Sequence, residues 1–477
     1  METQTTMQIA VACPQCGGEV ELEEDASVFH CTFCDSTLKP TGRNEVQSFF
    51  FPPKGNKEAI GKALLKAFWE KKGIRASIVE SSLAYAPFWR VKGMLFQWAF
   101  GREFKSTVYN GPSFDYFKKL RAVPYIRTFP AFEAERFQML SIGLRAQAMK
   151  MHPFNREKMG LDALIVNQKV SLKDAVKKSL QTSAPVLDGG KRSLHISKTA
   201  LIGEKYSLLY FPLFYFLVAM EGKKHTVVVD GLSHSVIKGT LPKEALKSND
   251  PSERLPYTPL NFIPFKCPNC GWDLPFQPSA RIHLCNTCGM AWQEFGGRFH
   301  QVRYKVWEPE SPMKDLVYLP LWRLEIGIHT AKKQYNTLKE FFELFPQPRL
   351  QPKRKLDEEP IYFYVPAFRI RNPVAVDKFA SRFILQQPRI PETLPTNLRE
   401  EKAGPAWLPL GEAMEMARML LFSITPKRSK PIQAAVKEAK IQLKHRELLW
   451  VPFTEKGIFL REVHTDLAIQ RNCLEIE

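Results

Sequence analysis

Short apolar runs interrupted by proline dominate the pattern of hydrophobic and polar positions along this chain. The longest run, residues 208–220 (LLYFPLFYFLVAM), has 13 residues and contains Pro212. It is shorter than the roughly 20 apolar residues that a membrane-spanning helix needs. Proline is tolerated at the start or edge of a strand but breaks a helix interior. The pattern therefore predicts a buried β-strand over this run.

Turn residues follow this run directly and predict a β-hairpin over residues 210–235. The sequence EGKK at 221–224 separates the run from a second apolar segment, HTVVVDG, which ends in another turn signal at 230–231. Glycine with charged residues between two apolar strands is typical of hairpins. Residues 89–100 and 298–307 have a similar strand-like composition.

Helical periodicity marks several segments between the predicted strands. Residues 56–72 place Ile60, Leu64 and Phe68 on one face and place lysines mostly on the other. Further helices are predicted at 131–150, 172–180, 374–386, 410–423 and 431–446. Linkers are predicted at 247–259, 345–360 and 389–406. Together these elements predict an α+β fold rich in antiparallel strands.

The cysteines carry the clearest chemistry. Eight of the nine form two copies of one pattern, in which 14 residues separate two CxxC pairs and the first pair opens a Cys-Pro-x-Cys-Gly sequence. The predicted metal ligands are Cys13, Cys16, Cys31 and Cys34 in the first copy, and Cys267, Cys270, Cys285 and Cys288 in the second. Four thiolates at this spacing suit a tetrahedral Zn²⁺ ion, so we predict two structural zinc ions. Iron in a rubredoxin-like site is the alternative. His30 and His283 lie close by in sequence, but each quartet is complete without them.

An aromatic-x-Pro-apolar-aromatic motif, here called the proline box, recurs on both sides of the second quartet. Its prolines are Pro87, Pro130 and Pro212 in the first part and Pro320, Pro366 and Pro452 in the second. The same order and nearly the same spacing predict an internal duplication. The predicted domains are a first zinc ribbon at 1–40, an α+β half at 41–250, a second ribbon at 260–298 and a diverged half at 299–477. The box aromatics suit either base stacking or a repeated hydrophobic core, and we favour the core.

The net charge of +19 is unevenly distributed. Residues 1–40 carry seven acidic side chains against one lysine, and residues 262–297 sum to zero. Ribbons that bind nucleic-acid phosphates are expected to be basic, so any polyanion would contact the rest of the chain. The basic stretches are 54–75, 102–127, 332–355 and 427–446.

Cysteine usage and the N-terminal sequence predict a cytoplasmic protein. Paired CxxC motifs with only Cys473 left over favour metal binding in a reducing compartment. The N-terminal residues lack the basic region of a signal peptide. None of the common phosphate-loop, nucleophile-elbow, zinc-protease or dinucleotide motifs occurs in the sequence. No catalytic residue and no small-molecule substrate are therefore predicted.

The stretch 210–242 resembles bacterial proteins described as transcription-factor-IIB-type zinc ribbon or primosomal protein N-prime-like. The matching positions are Tyr210, Pro212, Gly222, Lys223, Val229, Asp230, Gly231, Gly239 and Pro242, and the resemblance covers about residues 10–245. It implies membrane-remodelling partners of the band-7/SPFH and phage-shock types and a place at the bacterial inner membrane. It implies little chemistry, because the label primosomal protein N-prime-like, which is a helicase name, comes from the ribbon alone. Such proteins often carry transmembrane helices, whereas this chain has no such run and has two ribbons.

Three functions remain open from the sequence. The first is a non-enzymatic scaffold or adaptor that presents surfaces to protein partners, peripherally at the inner membrane. The second is a nucleic-acid-binding protein that uses its basic body, to which an anionic membrane surface is a further candidate. The third is an enzyme of unrecognised type.

Overall fold

A computed structural model of the protein describes residues 8–23, 26–41, 46–108, 111–132, 134, 137–142, 150–181, 192–239, 260–277, 280–347, 351–391, 398 and 403–474. The fold is α+β, as predicted, and strands predominate, with 48% strand and 18% helix. Among the described residues, no helix has both the length and the apolar character needed to span a bilayer. The predicted linker 247–259 lies outside the described residues.

The helices are α1 Lys57–Lys72, α2 Arg156–Met159, α3 Leu172–Gln181, α4 Leu338–Leu344, α5 Pro373–Gln386, α6 Leu410–Ile424 and α7 Lys430–Lys437. The predicted helices at 56–72, 172–180, 374–386 and 410–423 are confirmed. Helix α1 begins because the Asn56 side chain accepts a hydrogen bond from the Ala59 amide, and it ends at Gly73 in a left-handed conformation.

The strands up to the middle of the chain are β1 Gln8–Ala12, β2 Glu19–Glu23, β3 Phe29–His30, β4 Thr37–Thr41, β5 Gln47–Phe50, β6 Ala76–Val108, β7 Gly111–Pro130, β8 His152–Pro153, β9 Leu164–Ile165, β10 Arg192–Met220, β11 Lys223–Asp230 and β12 Val236–Ile237. The later strands are β13 Asn261–Pro264, β14 Ile282–Leu284, β15 Ala291–Phe295, β16 Arg298–Val302, β17 Tyr304–Val306, β18 Leu316–His329, β19 Gln334–Tyr335, β20 Ile361–Pro366, β21 Lys440–Lys456, β22 Phe459–Glu462 and β23 Ala468–Gln470.

Two helix predictions are wrong. The predicted helix 131–150 is irregular over its described residues, where the Gln138 amide donates to the Lys238 carbonyl oxygen at 3.0 Å and Phe137 forms a bridge with Gly239. Residues 143–149 lie outside the described residues. The predicted helix 431–446 ends at Lys437, and the rest of it begins β21, because residues 440–446 pair with β18.

The chain divides into two compact units, each made of three segments. The first unit contains Met1–Gly93, Pro124–Ser183 and Glu204–Pro264. The second contains Met94–Val123, Ala184–Gly203 and Phe265–Glu477. Strands β6, β7 and β10 therefore contribute residues to both units.

An eight-stranded sheet forms the main sheet of the first unit. Its strand order is β12-β11-β10-β5-β8, and β6 pairs with β10, β7 and β9. The predicted hairpin is confirmed, since β10 and β11 pair from Met220 and Lys223 across Glu221 and Gly222. Both turn residues have positive φ, 51° and 77°, as the two-residue type I′ turn of a hairpin requires. Helix α1 packs on this hairpin through Ile60 and Leu64.

A seven-stranded sheet forms the main sheet of the second unit. Its order is β19-β18-β21-β22-β23, with β17 parallel to β21 and β20 antiparallel to β18. Aromatic contacts join α5 to this sheet: the ring centroids of Tyr364 and Phe383 are 4.8 Å apart, and those of Phe379 and Phe453 are 5.8 Å apart. The core of this unit lies between the sheet and helices α5 and α6.

The aromatic residues of the proline boxes are buried. These residues include Tyr85, Trp89, Tyr210, Phe214, Tyr318, Trp322, Tyr364, Phe368, Trp450 and Phe453. Their rings contribute to hydrophobic cores and present no open face to a nucleic-acid base. The core interpretation of the boxes is confirmed.

Main-chain hydrogen bonds around the boxes follow one scheme in both units. In the first unit the Phe51 amide donates to the Tyr210 carbonyl oxygen at 3.2 Å, and the Ala131 amide to that of Pro87 at 2.9 Å. In the second unit the Trp307 amide donates to the Trp450 carbonyl oxygen at 2.9 Å, and the Ala367 amide to that of Pro320 at 2.9 Å. The acceptors Tyr210 and Trp450 stand at the same position of their boxes, and so do the acceptors Pro87 and Pro320.

Candidate metal centres

The first cysteine quartet lies in one cluster. The sulfur atoms of Cys13, Cys16, Cys31 and Cys34 all lie within 4.8 Å of one another. The Cys13–Cys34 and Cys16–Cys31 sulfur separations are both 3.8 Å. A tetrahedral metal with metal–sulfur bonds of about 2.3 Å places its sulfurs about 3.8 Å apart. The first cluster therefore has the dimensions of a tetrathiolate metal site.

The second quartet forms an equivalent cluster. The sulfurs of Cys267, Cys270, Cys285 and Cys288 also lie within 4.8 Å of one another. The Cys267–Cys288 and Cys270–Cys285 separations are both 3.6 Å. All eight cysteines singled out from the sequence are thus brought together in two groups of four. The remaining cysteine, Cys473, is buried by itself in the second unit.

Each CxxC pair is shaped by a tight turn that ends in left-handed backbone. In the first turn the Gly17 amide donates to the Cys13 carbonyl oxygen at 2.8 Å, and the Cys13 amide donates to that of Gly18 at 2.8 Å. The left-handed positions of the four turns are Gly17, Asp35, Gly271 and Gly289, with φ of 75°, 63°, 78° and 70°. Glycine adopts this conformation without steric cost, which explains the glycine after three of the four pairs.

The two histidines near the clusters have other contacts. His30 Nε2 lies 2.9 Å from a carboxylate oxygen of Asp35, the left-handed residue of its own turn. His283 is fully buried, and its ring packs edge-on against Phe265 with centroids 4.6 Å apart. The sequence interpretation that neither completes a quartet agrees with these contacts.

Small sheets hold the clusters in place. In the first ribbon β1 pairs with β2, and β3 pairs with β4, which also pairs with β13. The ring centroids of Phe29 and Phe262 are 5.1 Å apart across this second sheet. In the second ribbon β14, β15 and β16 form a meander, and the Tyr304 hydroxyl donates to the Gly289 carbonyl oxygen at 2.5 Å.

One thiol in each cluster is poised to ionise. Cys34 Sγ and Ser36 Oγ are 3.3 Å apart, and this hydrogen bond lowers the pKa of the Cys34 thiol to about 6. At the corresponding position, burial raises the pKa of Cys288, but hydrogen bonds from the Met290 amide and Asn269 outweigh it and bring that pKa down to about 7. Metal ligation requires thiolates, so both clusters have a ligand that is readily deprotonated.

Sequence reasoning missed a set of exposed aromatic side chains on the ribbons. Phe33 is 67% exposed and lies inside the second CxxC pair of its ribbon, whereas Trp272 is 66% exposed and follows the first pair of the other ribbon. Phe276 and Phe295 are also more than half exposed. No sequence signal distinguishes Phe33 and Trp272 from Phe29 and Phe265, which also lie within two positions of a ligand cysteine but are buried.

No family model matches the chain, and neither the curated proteins nor the solved structures compared with it give a match.

Proposed function

We propose that this protein is a non-enzymatic adaptor that binds protein partners through two zinc ribbons. One observation carries the proposal: each ribbon combines a four-cysteine cluster with a large aromatic side chain left in solvent. Phe33 and Trp272 are about two-thirds exposed, at 67% and 66%. Aromatic anchors contribute strongly to the binding energy of protein interfaces, and a rigid metal-bound turn lowers the cost of ordering them.

Zinc is the proposed metal in both clusters. The support is the Cys₄ ligand set, the 14-residue spacing of the CxxC pairs and sulfur separations of 3.6–3.8 Å. Four thiolates leave no coordination position for a reactive water, so the metal would support the fold rather than catalyse a reaction. Iron suits the same ligands, and elemental analysis with a visible absorption spectrum distinguishes the two metals.

An internal duplication is the second part of the proposal. It is supported by the paired hydrogen bonds of the proline boxes and by two further pairs. The indole N–H of Trp89 donates to the Val170 carbonyl oxygen, and that of Trp322 to the Leu408 carbonyl oxygen, both at 2.8 Å. Strands β5 and β17 also lie parallel to β10 and β21 at corresponding positions. Equivalent contacts at four matched places favour common ancestry of the two parts.

The charge of the ribbons favours a protein partner over a nucleic acid. The first ribbon, 1–40, has a net charge of −6, and the second has none. A zinc tetrathiolate adds a further negative charge to each, which repels phosphates. The expected partner surface therefore offers apolar side chains, with basic residues around them where it meets the first ribbon.

The resemblance to bacterial zinc-ribbon proteins supplies the proposed setting. It suggests partners of the band-7/SPFH or phage-shock type and a position at the inner face of a bacterial membrane. The large positive charge outside the ribbons supports such a position, because anionic lipid attracts basic protein surfaces.

Affinity capture with matched variants tests the adaptor function. Tagged protein with Phe33→Ser or Trp272→Ser is compared with the parent in lysates of the source cells, with partners identified by mass spectrometry. The control is Leu161→Ser, which removes a side chain that is 69% exposed but lies outside the ribbons. We expect the ribbon variants to lose a defined partner that the control retains. Equal capture by all four proteins would contradict the proposal.

Nucleic-acid binding is the second candidate function, favoured only by the charge outside the ribbons. A salt titration of binding to duplex and single-stranded DNA discriminates, because phosphate contacts give a steep fall of affinity with salt. Tight, steeply salt-dependent binding that persists in the two ribbon variants would replace the adaptor proposal.

A further inference from the structure

A cleft lies beside the second cysteine cluster, within the second unit. It has a volume of about 830 Å³. The turn 286–290, which contains Cys288, forms one wall, and residues 301–305 and 445–447 form the rest. Clefts of this size commonly hold small molecules. The cleft is a separate feature from the exposed aromatic residues of the ribbons.

Cationic side chains dominate the lining of this cleft. Arg303, Lys305 and Arg446 line it, against a single acidic residue, Glu447. The buried Glu447 carboxylate is already matched twice, by Arg323 at 2.7 Å and by Lys305 at 3.2 Å. Its negative charge is therefore not available to neutralise the two arginines of the lining.

Arg303 and Arg446 are the cations left to bind a ligand. Both side chains are exposed, and within the described part of the chain neither forms an ion pair. Arg303 directly precedes β17 and Arg446 lies in β21, and the two segments adjoin because the Leu448 amide donates to the Arg303 carbonyl oxygen at 3.1 Å. The planar guanidinium group binds phosphate oxygens through two parallel hydrogen bonds. Thr287 and Gln301 add neutral hydrogen-bonding groups to the same lining.

We propose that this cleft binds a small phosphate-bearing anion, held by Arg303 and Arg446. A metal-bound tetrathiolate at Cys288 would add negative charge nearby, so binding depends on direct guanidinium–phosphate hydrogen bonds more than on long-range attraction. The ligand is either a free phosphorylated small molecule or the headgroup of an anionic phospholipid, since both present the same chemistry.

The first unit does not repeat this arrangement. The parallel register of β5 with β10 matches that of β17 with β21, and it places Gln47 where Arg303 stands and Tyr206 where Arg446 stands. Both arginines are thus replaced by uncharged residues. The phosphate site is specific to the second unit, which means that the two units differ in ligand binding even where their main chains agree.

Titration calorimetry of the metal-loaded full chain with inorganic pyrophosphate tests the site. The test variant is Arg303→Ala with Arg446→Ala. The matched control is Arg298→Ala with Arg382→Ala, which removes two exposed arginines of the same unit that do not line the cleft. We expect pyrophosphate affinity to fall at least tenfold in the test variant and to stay within twofold in the control. Circular dichroism and zinc content of each variant establish that the fold is intact.

A second experiment distinguishes a free phosphorylated ligand from a phospholipid headgroup. Vesicles of phosphatidylglycerol in phosphatidylcholine are compared with vesicles of phosphatidylcholine alone, with and without pyrophosphate. Vesicle binding that pyrophosphate displaces and the test variant loses identifies a lipid headgroup, and pyrophosphate binding without vesicle binding identifies a free ligand. The proposal is overturned if neither probe binds, or if the test and control variants lose affinity equally.

Discussion

The indole N–H of Trp322 donates a hydrogen bond of 2.8 Å to the carbonyl oxygen of Leu408. Both groups are buried, and the bond ties β18 to the segment that enters α6. Trp89 makes the same bond to Val170, at the entrance to α3. Trp322 thus satisfies a carbonyl group in the buried core, and each tryptophan ties a helix entrance to its sheet.

Replacing Trp322 with phenylalanine is expected to destabilise the second unit. The change leaves the Leu408 carbonyl oxygen buried without its donor, which costs about 1–3 kcal/mol, and it also removes part of a buried ring. Trp89→Phe should have a smaller effect in the first unit, because the Gln168 side-chain amide also donates to the Val170 carbonyl oxygen, at 3.3 Å. Urea unfolding followed by far-UV circular dichroism measures the loss. Trp272→Phe, at an exposed position, is the control, and an equal loss there would contradict the role of the buried bond.

Cys267→Ser is expected to remove one metal ion of two and to leave the first cluster loaded. Serine cannot supply a thiolate, and three thiolates hold the ion more weakly. Elemental analysis of purified protein measures metal per chain. Cys473→Ser is the matched control, because that thiol lies outside both clusters and should leave the metal content unchanged. Unaltered metal content in Cys267→Ser would exclude the second quartet as a metal site.

Gly271→Ala tests the left-handed turn in the second ribbon. Gly271 has a φ of 78°, and an added Cβ would meet no atom within 4 Å, so the expected cost is backbone strain alone, about 1–2 kcal/mol. The readout is faster loss of metal to a chelator. Gly411→Ala, in helix α6 and equally open, should instead stabilise the protein by up to about 1 kcal/mol. Slower metal loss in Gly271→Ala would contradict the strain argument.

Asp377 is expected to favour the folded state more in mild acid than at neutral pH. Burial raises the pKa of Asp377 to about 6, against the hydrogen bond from Ser423 and the charge of Lys118, which lower it. The folded state then holds a proton that the unfolded chain releases near pH 4, so this group's contribution to stability falls as the pH rises from about 4 to 6 and is constant above.

The variant Asp377→Asn keeps an acceptor for Ser423 and removes the ionisation. It should flatten the pH dependence of the free energy of unfolding between about pH 4 and 6, and it should stabilise the protein at pH 7 by on the order of 1 kcal/mol. Urea unfolding at three pH values measures both effects. Asp466→Asn, at an exposed carboxylate, is the control, and a matching shift there would show that general charge is responsible.

The features that the sequence predicted well are those fixed by local chemistry. Cysteine spacing restricts the possible ligands so strongly that both quartets could be named, and the EGKK turn at 221–224 specified its hairpin. Helix 131–150 failed for a tertiary reason. Its apolar residues Phe132, Phe137 and Met139 are buried, but the chain satisfies its amides by pairing with residues 238–239 instead of within a helix.

Other features depend on contacts that no local pattern reveals. The helical pattern of 431–446 also contains the alternation of Ile441 and Leu443, and the long partner strand β18 selects the strand for residues from Lys440 onward. The cleft at Arg303 and Arg446 joins residues more than 140 positions apart. The sequence does not separate the exposed Phe33 and Trp272 from buried aromatic residues equally close to ligand cysteines, and only the fold shows that these two face solvent.

The pairing of β4 with β13 can form only late in the synthesis of the chain. Thr41 lies opposite Asn261, and Leu38 lies opposite Pro264, so the outer edge of the first ribbon stays open until more than 200 further residues have left the ribosome. An unpaired strand edge invites association with other chains. A nascent or prematurely terminated polypeptide that stops before Asn261 would expose that edge, and chaperones that shield incomplete sheets are expected to bind it until the late strand arrives.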